Sequence, residues 1–397
     1  MRYEDLISSK KVAATAARFN PYAANVNLFD WQYSLVSWAV KCGRAAIFAE
    51  CGLGKTLMQL EWARQVVLHT GGRVMLHCPV GVREQSKSEA EKFSVDVDVA
   101  ICDSANDLPA RGVAIVNYEK LHKFDPSMFT GVVLDESSIL KNFNGKMRKR
   151  ITNGWASTPY RLACTATPAP NDHVELCNHS EFLGVMSQPR ILSRWFVNDT
   201  ANTGTWRLKG HAERDFWDWV STWAVCITKP SDAGGSDEGY ELPPLNEHLH
   251  VVDYAGGPAD GMLFDNFSLS ATNVHTQKRN TTAARAARVA GIVRDNEPWI
   301  VWCDTNYEAD ALSDALPSAI EVRGSDSERV KSQKLKEFSQ SKSATLITKP
   351  SVAGFGMNSQ HCNKMAFVGL SYSFESYYQA VRRCWRYGQQ KPVDVHV

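Results

Sequence analysis

The chain has 397 residues, which is enough for two or three domains with sizeable hydrophobic cores. Hydrophobic residues make up 44% of it and charged residues 22%, a composition that is typical of a soluble globular protein and leaves no long low-complexity tract. The formal net charge of +1 gives no overall attraction to nucleic acid, so a surface that binds nucleic acid must be local.

The cysteines and the N-terminus bear on the compartment in which the protein works. None of the ten cysteines forms a C-x-x-C pair with another, which disfavours a zinc cluster or a disulfide framework and favours reduced thiols. The N-terminus, Met1–Asp5, lacks an apolar signal core, and no run of about 18 apolar residues occurs. We therefore expect a soluble protein of the cytoplasm that has no contact with a membrane.

The first regular elements come after an extension at residues 1–27, for which the sequence offers no interpretation. Asp30 is positioned to cap a helix whose apolar residues run through positions 31–39. Gln32 lies near the start of this helix, where spacing alone indicates a polar surface residue. The apolar run Ala45–Phe48 then predicts a short buried strand.

The most informative stretch follows that strand, at residues 49–56, and reads Ala-Glu-Cys-Gly-Leu-Gly-Lys-Thr. A strand, a glycine-containing loop and a helix that begins at Gly-Lys-Thr predict a phosphate-binding loop, because backbone N–H groups and a helix N-terminus attract negative charge. Lys55 would reach the β- and γ-phosphates, and Thr56 would hold Mg²⁺. The predicted nucleotide contacts of this loop are Glu50, Cys51, Gly52, Leu53, Gly54, Lys55 and Thr56.

Two other interpretations of the loop were weighed. A dinucleotide fingerprint would need glycine at position 57, where the chain has Leu57, so a Rossmann-type site is disfavoured. Position 49, which is usually glycine in a phosphate loop, is Ala49. From the motif alone, a tight turn without nucleotide remains the alternative.

Strands and helices alternate after the loop. The hydrophobic pattern predicts helices at 57–68 and 82–93 and strands at Arg73–Cys78 and Val113–Val116. Such alternation predicts a parallel sheet with helices on both faces. Ligands of such sheets bind beyond the carboxyl ends of the strands, which is where the phosphate loop lies.

Two adjacent acidic residues, Asp135 and Glu136, follow the next apolar strand, Val132–Leu134. In a phosphate-loop enzyme, the first acid can hold Mg²⁺ and the second can orient and deprotonate the attacking water. The competing interpretation is a solvated turn with a helix cap at Ser137 or Ser138. The preceding phosphate loop and the shared sheet favour the catalytic pair.

A basic run and a hydroxyl-rich turn come next. The run at residues 141–150 is either a solvated helix face or a contact to the phosphate backbone of nucleic acid. Its candidate contacts are Lys141, Asn142, Lys146 and Arg148. A predicted strand at Tyr160–Cys164 leads into Thr165, Ala166 and Thr167, whose hydroxyl groups can hydrogen-bond the acid pair or close a turn.

Together these motifs resemble those of superfamily two helicases, in the Swi/Snf-like branch. The resemblance rests on Gln32, residues 49–56, Asp135–Ser137, Thr165–Pro168 and Asn171–Leu176. Within that branch the chain is most similar to small helicase-like proteins carried by phages and prophages. The resemblance implies an α/β protein of two tandem RecA-like domains, with parallel sheets flanked by helices and the ATP site in the cleft between the domains.

The C-terminal half carries further motifs of the same family. Predicted strands at Pro298–Cys303 and Ala344–Thr348 precede residues 353–358, which resemble the Ala-Gly-x-Gly-x-Asn of motif V. Residues 379–389 resemble the Gln-Ala-x-x-Arg-x-x-Arg-x-Gly-Gln of motif VI. A last predicted strand, Val393–Val397, ends the chain where family members usually continue with bracing helices, so we expect either a truncated or an unusually minimal protein.

The resemblance also assigns roles to individual residues. It implies that Gln32 recognises adenine and that residues 165–167 couple hydrolysis to DNA contacts. Arg383 and Arg386 are three positions apart and would lie on one face of a helix, from which they would act as arginine fingers on the γ-phosphate. Further candidates are Gly356 and Gln379 for the nucleotide, and Lys349 and Ser351 for nucleic acid.

A Trp-rich stretch separates the two halves. Phe216, Trp219, Val220 and Trp223 have helical spacing, which favours a helix face packed on a domain over base stacking. The Gly/Ser/Asp-rich residues 231–239 predict a mobile linker, with a domain boundary near position 245. The predicted domains are RecA-like domain 1 at 28–184, a helical connector at 185–250 and RecA-like domain 2 at 251–397.

The sequence therefore predicts an enzyme that uses ATP and Mg²⁺ to drive movement on nucleic acid, most simply a translocase on double-stranded DNA. One alternative is a strand-separating helicase that acts on single-stranded DNA or RNA tails. The other is a non-catalytic DNA-binding adaptor for which ATP is only a conformational switch. Protein partners and the biological pathway are not encoded in these motifs.

Overall fold

The computed structural model describes residues 19–141, 145–198, 206–252, 271–353 and 358–397. Three sequence predictions fall outside these ranges: most of the N-terminal extension, Asn142, and Gly356 with its neighbours in motif V. Contacts between Cα atoms divide the chain into two compact units, Met1–Glu238 and Gly239–Val397.

Helices and strands alternate along the first unit, as the hydrophobic pattern predicts. Its described helices are α1 (Asp30–Cys42), α2 (Lys55–Thr70), α3 (Arg83–Lys92), α4 (Lys146–Gly154), α5 (Glu175–Leu183), α6 (Gln188–Trp195) and α7 (Glu213–Val220). Its described strands are β1 (Arg44–Ala49), β2 (Arg73–Cys78), β3 (Val99–Ile101), β4 (Gly112–Asn117), β5 (Gly131–Asp135), β6 (Tyr160–Thr165), β7 (Phe196–Asn198), β8 (Trp206–Leu208) and β9 (Ala224–Ile227). The helices predicted at 57–68 and 82–93 are confirmed as α2 and α3.

The first unit is built on one parallel sheet in the order β3-β4-β2-β5-β6-β1-β9. Strands β7 and β8 form a separate antiparallel pair. The central strands β1, β4 and β5 are buried along almost their whole length. Burial on both faces explains why these strands read as continuous apolar runs and not as alternating polar and apolar residues.

The Trp-rich stretch is part of the first unit, which differs from the predicted separate connector at 185–250. Its last strand, β9, pairs in parallel with the phosphate-loop strand β1 and so becomes an edge of the sheet. Phe216, Val220 and Trp223 are buried in the main core of the unit. Their predicted use as an apolar helix face packed on a domain is therefore confirmed, and the tryptophans stabilise the fold.

The second unit repeats the same architecture with shorter strands. Its described helices are α8 (Ala271–Asn280), α9 (Thr282–Ala290), α10 (Asn306–Ala315), α11 (Glu328–Gln340), α12 (Pro350–Ala353) and α13 (Phe374–Val381). Its described strands are β10 (Leu245–His248), β11 (Trp299–Trp302), β12 (Ile320–Val322), β13 (Thr345–Thr348), β14 (Lys364–Phe367) and β15 (Val393–His396). The strands form one parallel sheet in the order β10-β15-β14-β11-β13-β12.

The second sheet has a hydrophobic core on each face. Ile300 and Trp302 of β11 pack in one cluster, and Trp299 and Val301 pack in the other. Alternation of side chains along a strand gives this division. The predicted fold class, α/β with two tandem units whose parallel sheets are flanked by helices, is therefore confirmed. Among the described residues, no helix has the length and apolar character needed to cross a bilayer.

Candidate nucleotide site

The predicted phosphate loop, acid pair and hydroxyl-rich turn follow three neighbouring strands of the first sheet. Strand β6 lies between β5 and β1 and pairs in parallel with both, so that Asp135 is opposite Cys164 and Phe48 is opposite Thr165. The carboxyl ends of neighbouring parallel strands meet at one edge of a sheet. The three predicted segments therefore lie side by side at that edge.

The phosphate loop passes into α2 through two glycines in the left-handed region, Gly52 with φ 92° and Gly54 with φ 76°. Gly54 directly precedes the helix, and only glycine adopts this backbone conformation without steric cost. The Nζ atom of Lys55 donates to the carbonyl oxygens of Ala49 at 2.8 Å and Glu50 at 3.3 Å. The ammonium group is thus held against the backbone of the loop that the sequence assigns to phosphates.

Gln32 contacts the same loop and is buried, although its spacing in the sequence indicated a surface residue. Its Nε2 donates to the carbonyl oxygen of Leu53 at 3.0 Å, and its Oε1 accepts from the N–H of Phe29 at 3.1 Å. The surface prediction was wrong because helical periodicity within α1 carries no information on the loop that packs over its first turn. The role of Gln32 in adenine recognition stays a prediction.

Asp135 ends strand β5 and is only 6% exposed. The hydroxyl of Tyr118 donates to its carbonyl oxygen at 2.6 Å, which fixes the backbone at the end of the strand. Burial, and secondly the adjacent Glu136, raise the pKa of the Asp135 carboxyl to about 7. A bound cation would reverse this shift, because it favours the charged carboxylate.

A glutamine that the sequence analysis missed holds the Asp135 carboxylate. The Nε2 atom of Gln59, in the second turn of α2, donates to Oδ1 of Asp135 at 2.7 Å. Both side chains are buried. Thr56 and Asp135 would supply hydroxyl and carboxylate oxygens, the ligand chemistry that Mg²⁺ prefers, and the hydrogen bond from Gln59 engages Oδ1.

Glu136 is joined to the hydroxyl-rich turn by a hydrogen bond. The Oγ1 of Thr165 donates to Oε2 of Glu136 at 3.2 Å and itself accepts from the N–H of Thr167 at 3.1 Å. Glu136 has φ 51°, an uncommon left-handed conformation for a residue with a side chain. The backbone turn at Glu136 therefore points the side chains of Asp135 and Glu136 in different directions, and the hydrogen bond from Thr165 orients the Glu136 carboxylate.

A buried histidine supports the segment that carries the acids. The Oγ of Ser137 lies 3.0 Å from Nε2 of His179 in α5, and both residues are fully buried. Burial lowers the pKa of His179 to about 4, so the imidazole is neutral near pH 7. Neither Gln59 nor His179 belongs to a sequence motif, and no local signal distinguishes them, because their helices carry other polar residues such as Glu61 in α2 and Asn178 in α5.

The residues of the basic run differ in their exposure to solvent. Lys146 is exposed and Lys141 is half-buried, so both remain candidates for nucleic-acid contact. Arg148 is 8% exposed, and its Nη1 forms an ion pair with Glu181 of α5 at 2.6 Å. We correct the assignment of Arg148, because its guanidinium joins α4 to α5 and is not presented to solvent.

In the second unit, the arginines of motif VI do not lie on a helix. Helix α13 ends at Val381, and both Arg383 and Arg386 lie in the turns that follow. The prediction that helical spacing places them on one face was therefore wrong. Arg383 is buried, and its Nε donates to the carbonyl oxygen of Gln379 at 3.0 Å. Whether either arginine contacts a nucleotide stays a prediction.

The remaining described candidates of the second unit lie directly after β13, in α12 and in α13. The Nζ of Lys349, directly after β13, donates to Oδ1 of Asn306 at 2.8 Å, and Ser351 is exposed. Gln379 is buried, and its Nε2 donates to Oε1 of Glu375 at 3.5 Å. These contacts leave the predicted roles untested.

Comparison with known proteins gives a family match within the second unit. Residues 284–388 match the family model described as the helicase conserved C-terminal domain. The match supports the helicase resemblance over those residues. No curated protein matches the chain. Among solved structures, the SWI2/SNF2 ATPase core of Sulfolobus solfataricus in complex with dsDNA is similar, with 17% identity, 96% of this chain and 89% of that chain covered, and a TM-score of 0.49.

Proposed function

We propose that the protein is a motor that hydrolyses ATP to move on double-stranded DNA. The observation that supports this function best is the meeting of Lys55, Asp135, Glu136 and Thr165 at one edge of the first sheet. These are the parts that a phosphate-loop nucleoside triphosphatase needs. The helicase match of residues 284–388 supplies the second argument, because it favours a motor over a simple nucleotide-binding domain.

The residues at the sheet edge divide the chemistry between them. Lys55 neutralises charge on the β- and γ-phosphates, and Thr56 and Asp135 hold Mg²⁺, which offsets the charge of the transferred phosphoryl group. Glu136 accepts the proton of the attacking water. Thr165 donates a hydrogen bond to the Glu136 carboxylate. Through this bond, the hydroxyl-rich turn couples the state of the catalytic base to the contacts with DNA.

The second unit completes the proposed cycle. Arg383 and Arg386 stabilise the γ-phosphate of the bound nucleotide, and Gln32 holds adenine. The nucleotide state then changes the affinity of each domain for the DNA backbone, which gives directional steps. The preference for double-stranded DNA rests on the Swi/Snf-like pattern of Asp-Glu-Ser followed by residues 140–142. A phage or prophage origin stays a prediction.

Steady-state ATPase activity tests the proposal directly, with no nucleic acid, single-stranded DNA, double-stranded DNA or RNA. We expect stimulation by double-stranded DNA. Glu136→Gln should retain ATP binding and lose turnover by about 10²-fold or more, because the general base is removed. Normal turnover of Glu136→Gln would remove Glu136 from the role of base.

Two controls separate the chemistry from the fold. Lys55→Ala should abolish DNA-stimulated turnover, whereas Glu119→Gln, which changes an exposed carboxylate of the same unit, should leave it unchanged. Stimulation by single strands or RNA alone would favour the strand-separating helicase. Nucleotide binding without multiple turnover on any substrate would favour the ATP-switched adaptor.

A further inference from the structure

Helix α2 is buried on all sides between Leu57 and Val67. A helix in such surroundings is normally apolar all round, and a polar side chain in it is costly unless it is hydrogen-bonded. Three of its polar residues bind one another: Oε1 of Glu61 accepts from Nη1 of Arg64 at 3.1 Å and from Nε2 of Gln65 at 2.7 Å, while Oε2 of Glu61 has no partner among the described residues.

Gln59 is the exception on this helix, because its amide is directed at the sheet. Its Nε2 donates to Oδ1 of Asp135 at 2.7 Å, and its amide also hydrogen-bonds the Cys164 thiol of β6, whereas its Oε1 has no partner among the described residues. Gln59 lies three residues after Thr56, so the two residues occupy the same side of the helix. One helix therefore carries both the predicted hydroxyl ligand and a donor to the predicted carboxylate ligand.

Packing alone does not account for a glutamine at this position. Methionine has nearly the same length and flexibility and would fill the space without burying an amide oxygen that lacks a partner. The buried amide is explained if its N–H group makes a hydrogen bond that the site needs. A carboxylate that accepts a hydrogen bond on one oxygen cannot rotate freely, and outer contacts of this kind orient metal ligands.

We propose that Gln59 is a positioning residue for the metal site of the proposed ATPase. By donating to Oδ1, it fixes the rotation of the Asp135 carboxylate, the group that would hold Mg²⁺. The inference rests on the proposed function, since it presumes that Asp135 holds the metal. It concerns the second turn of α2, which lies outside the phosphate-loop motif itself.

The test measures Mg²⁺ dependence in two ways. A fluorescent ADP analogue is titrated with Mg²⁺ to obtain the half-saturating metal concentration for nucleotide binding, and the same concentration is measured for ATPase turnover. Gln59→Met should raise both values by about tenfold or more. Nucleotide binding without Mg²⁺ should stay within about twofold of wild type, because the phosphate loop is unchanged.

Gln65→Met is the matched control. Gln65 lies on the same helix, is equally buried and also donates from Nε2, but its partners are Glu61 in the same helix and the backbone of Tyr22, and not Asp135. This substitution can lower the free energy of unfolding, yet it should leave the half-saturating Mg²⁺ concentration as in wild type. An equal shift in both variants would show that the effect comes from disturbing α2 and would overturn the inference.

A double-mutant cycle tests whether the effect of Gln59 on Mg²⁺ dependence requires Asp135. In an Asp135→Asn background, Gln59→Met should no longer change Mg²⁺ dependence, because the carboxylate that it orients is gone. If Gln59→Met does not fold, Gln59→Asn replaces it; this amide is one methylene too short to reach Asp135. An unchanged Mg²⁺ dependence in folded Gln59 variants would overturn the inference, whereas a wild-type protein without Mg²⁺-dependent nucleotide binding would overturn the proposed function itself.

Discussion

Gly54 is the residue at which two predicted nucleotide contacts meet. Its φ of 76° lies in the left-handed region, and a Cβ atom built on it would lie 2.5 Å from Nε2 of Gln32. That nitrogen already donates to the carbonyl of Leu53, so Gln32 cannot move away without breaking the bond. The backbone of the loop and the Gln32 side chain are therefore mutually dependent.

Gly54→Ala should consequently weaken nucleotide binding and destabilise the first unit. The left-handed backbone costs an alanine about 1–2 kcal/mol, and displacement of Gln32 adds the loss of a buried hydrogen bond. We expect ATP affinity to fall by about tenfold or more, as measured by titration with a fluorescent analogue. Chemical denaturation measures the accompanying loss in the free energy of unfolding.

Gly71→Ala provides the comparison at the other end of α2. Gly71 has φ 66°, but a Cβ atom there would meet no atom within 4 Å. The substitution should therefore cost the backbone strain of about 1 kcal/mol and leave ATP affinity unchanged. If both variants bind ATP equally well, the contact between Gly54 and Gln32 has no part in the site.

At the scale of elements, the turn after α13 is held by one buried side chain, Gln389. Its Nε2 donates to the carbonyl oxygens of Gln360 and Cys362, both at 3.0 Å. Its Oε1 accepts from the N–H groups of Gln390 and Lys391, both at 3.0 Å. Gln389, the last residue of motif VI, thus links two segments through hydrogen bonds: the turn that contains Arg383 and Arg386, and the loop before β14.

Gln389→Met should remove the hydrogen bonds that hold this turn, while the side-chain volume in the core stays nearly the same. The substitution leaves buried backbone groups without partners, which costs about 1–3 kcal/mol in the free energy of unfolding. Chemical denaturation of the full chain, followed by tryptophan fluorescence, would detect an earlier transition. Gln390→Met, at the exposed neighbouring position, should leave the transition in place; equal stability of the two variants would contradict the role of Gln389.

At the scale of the whole molecule, each unit has its own sheet and its own core, but neither contains all the predicted catalytic groups. The phosphate loop and the acid pair belong to the first unit, and Arg383 and Arg386 belong to the second. If the protein is the proposed motor, turnover requires both units, whereas nucleotide binding depends mainly on the first. The two quantities should therefore respond differently to changes in the second unit.

Arg386→Ala tests this dependence. We expect turnover to fall by about 10³-fold, because the charge that stabilises the transition state is lost, while both units keep their unfolding transitions. DNA-stimulated ATPase activity and denaturation are measured side by side. Arg329→Ala removes an exposed arginine from α11 and should leave turnover unchanged. Unchanged turnover in Arg386→Ala would rule out the arginine-finger assignment.

Much of the fold could be predicted from the chain alone, because its decisive signals are local. Continuous apolar runs predicted β1, β2, β4, β5 and β6, and alternation with helices predicted the parallel sheets. The phosphate loop was evident from the adjacent residues 52–56, since glycine, lysine and threonine act there through the backbone of a single turn. That the Trp-rich stretch joins the first unit depends instead on long-range pairing: β9 pairs with β1, which is far away in sequence.

The sequence by itself determined the elements, the order of the motifs and the chemistry of the loop, because each depends on neighbours within a few residues. Only the tertiary structure decided which polar side chains face the site. Gln59 and His179 carry no motif, and their significance comes from partners in β5 and the turn after it. The same is true of Arg148, which the sequence assigned to nucleic acid and which Glu181 holds inside the unit. Long-range pairing decides the outcome in each case, because the free energy of burying a polar group depends on the partner that it meets.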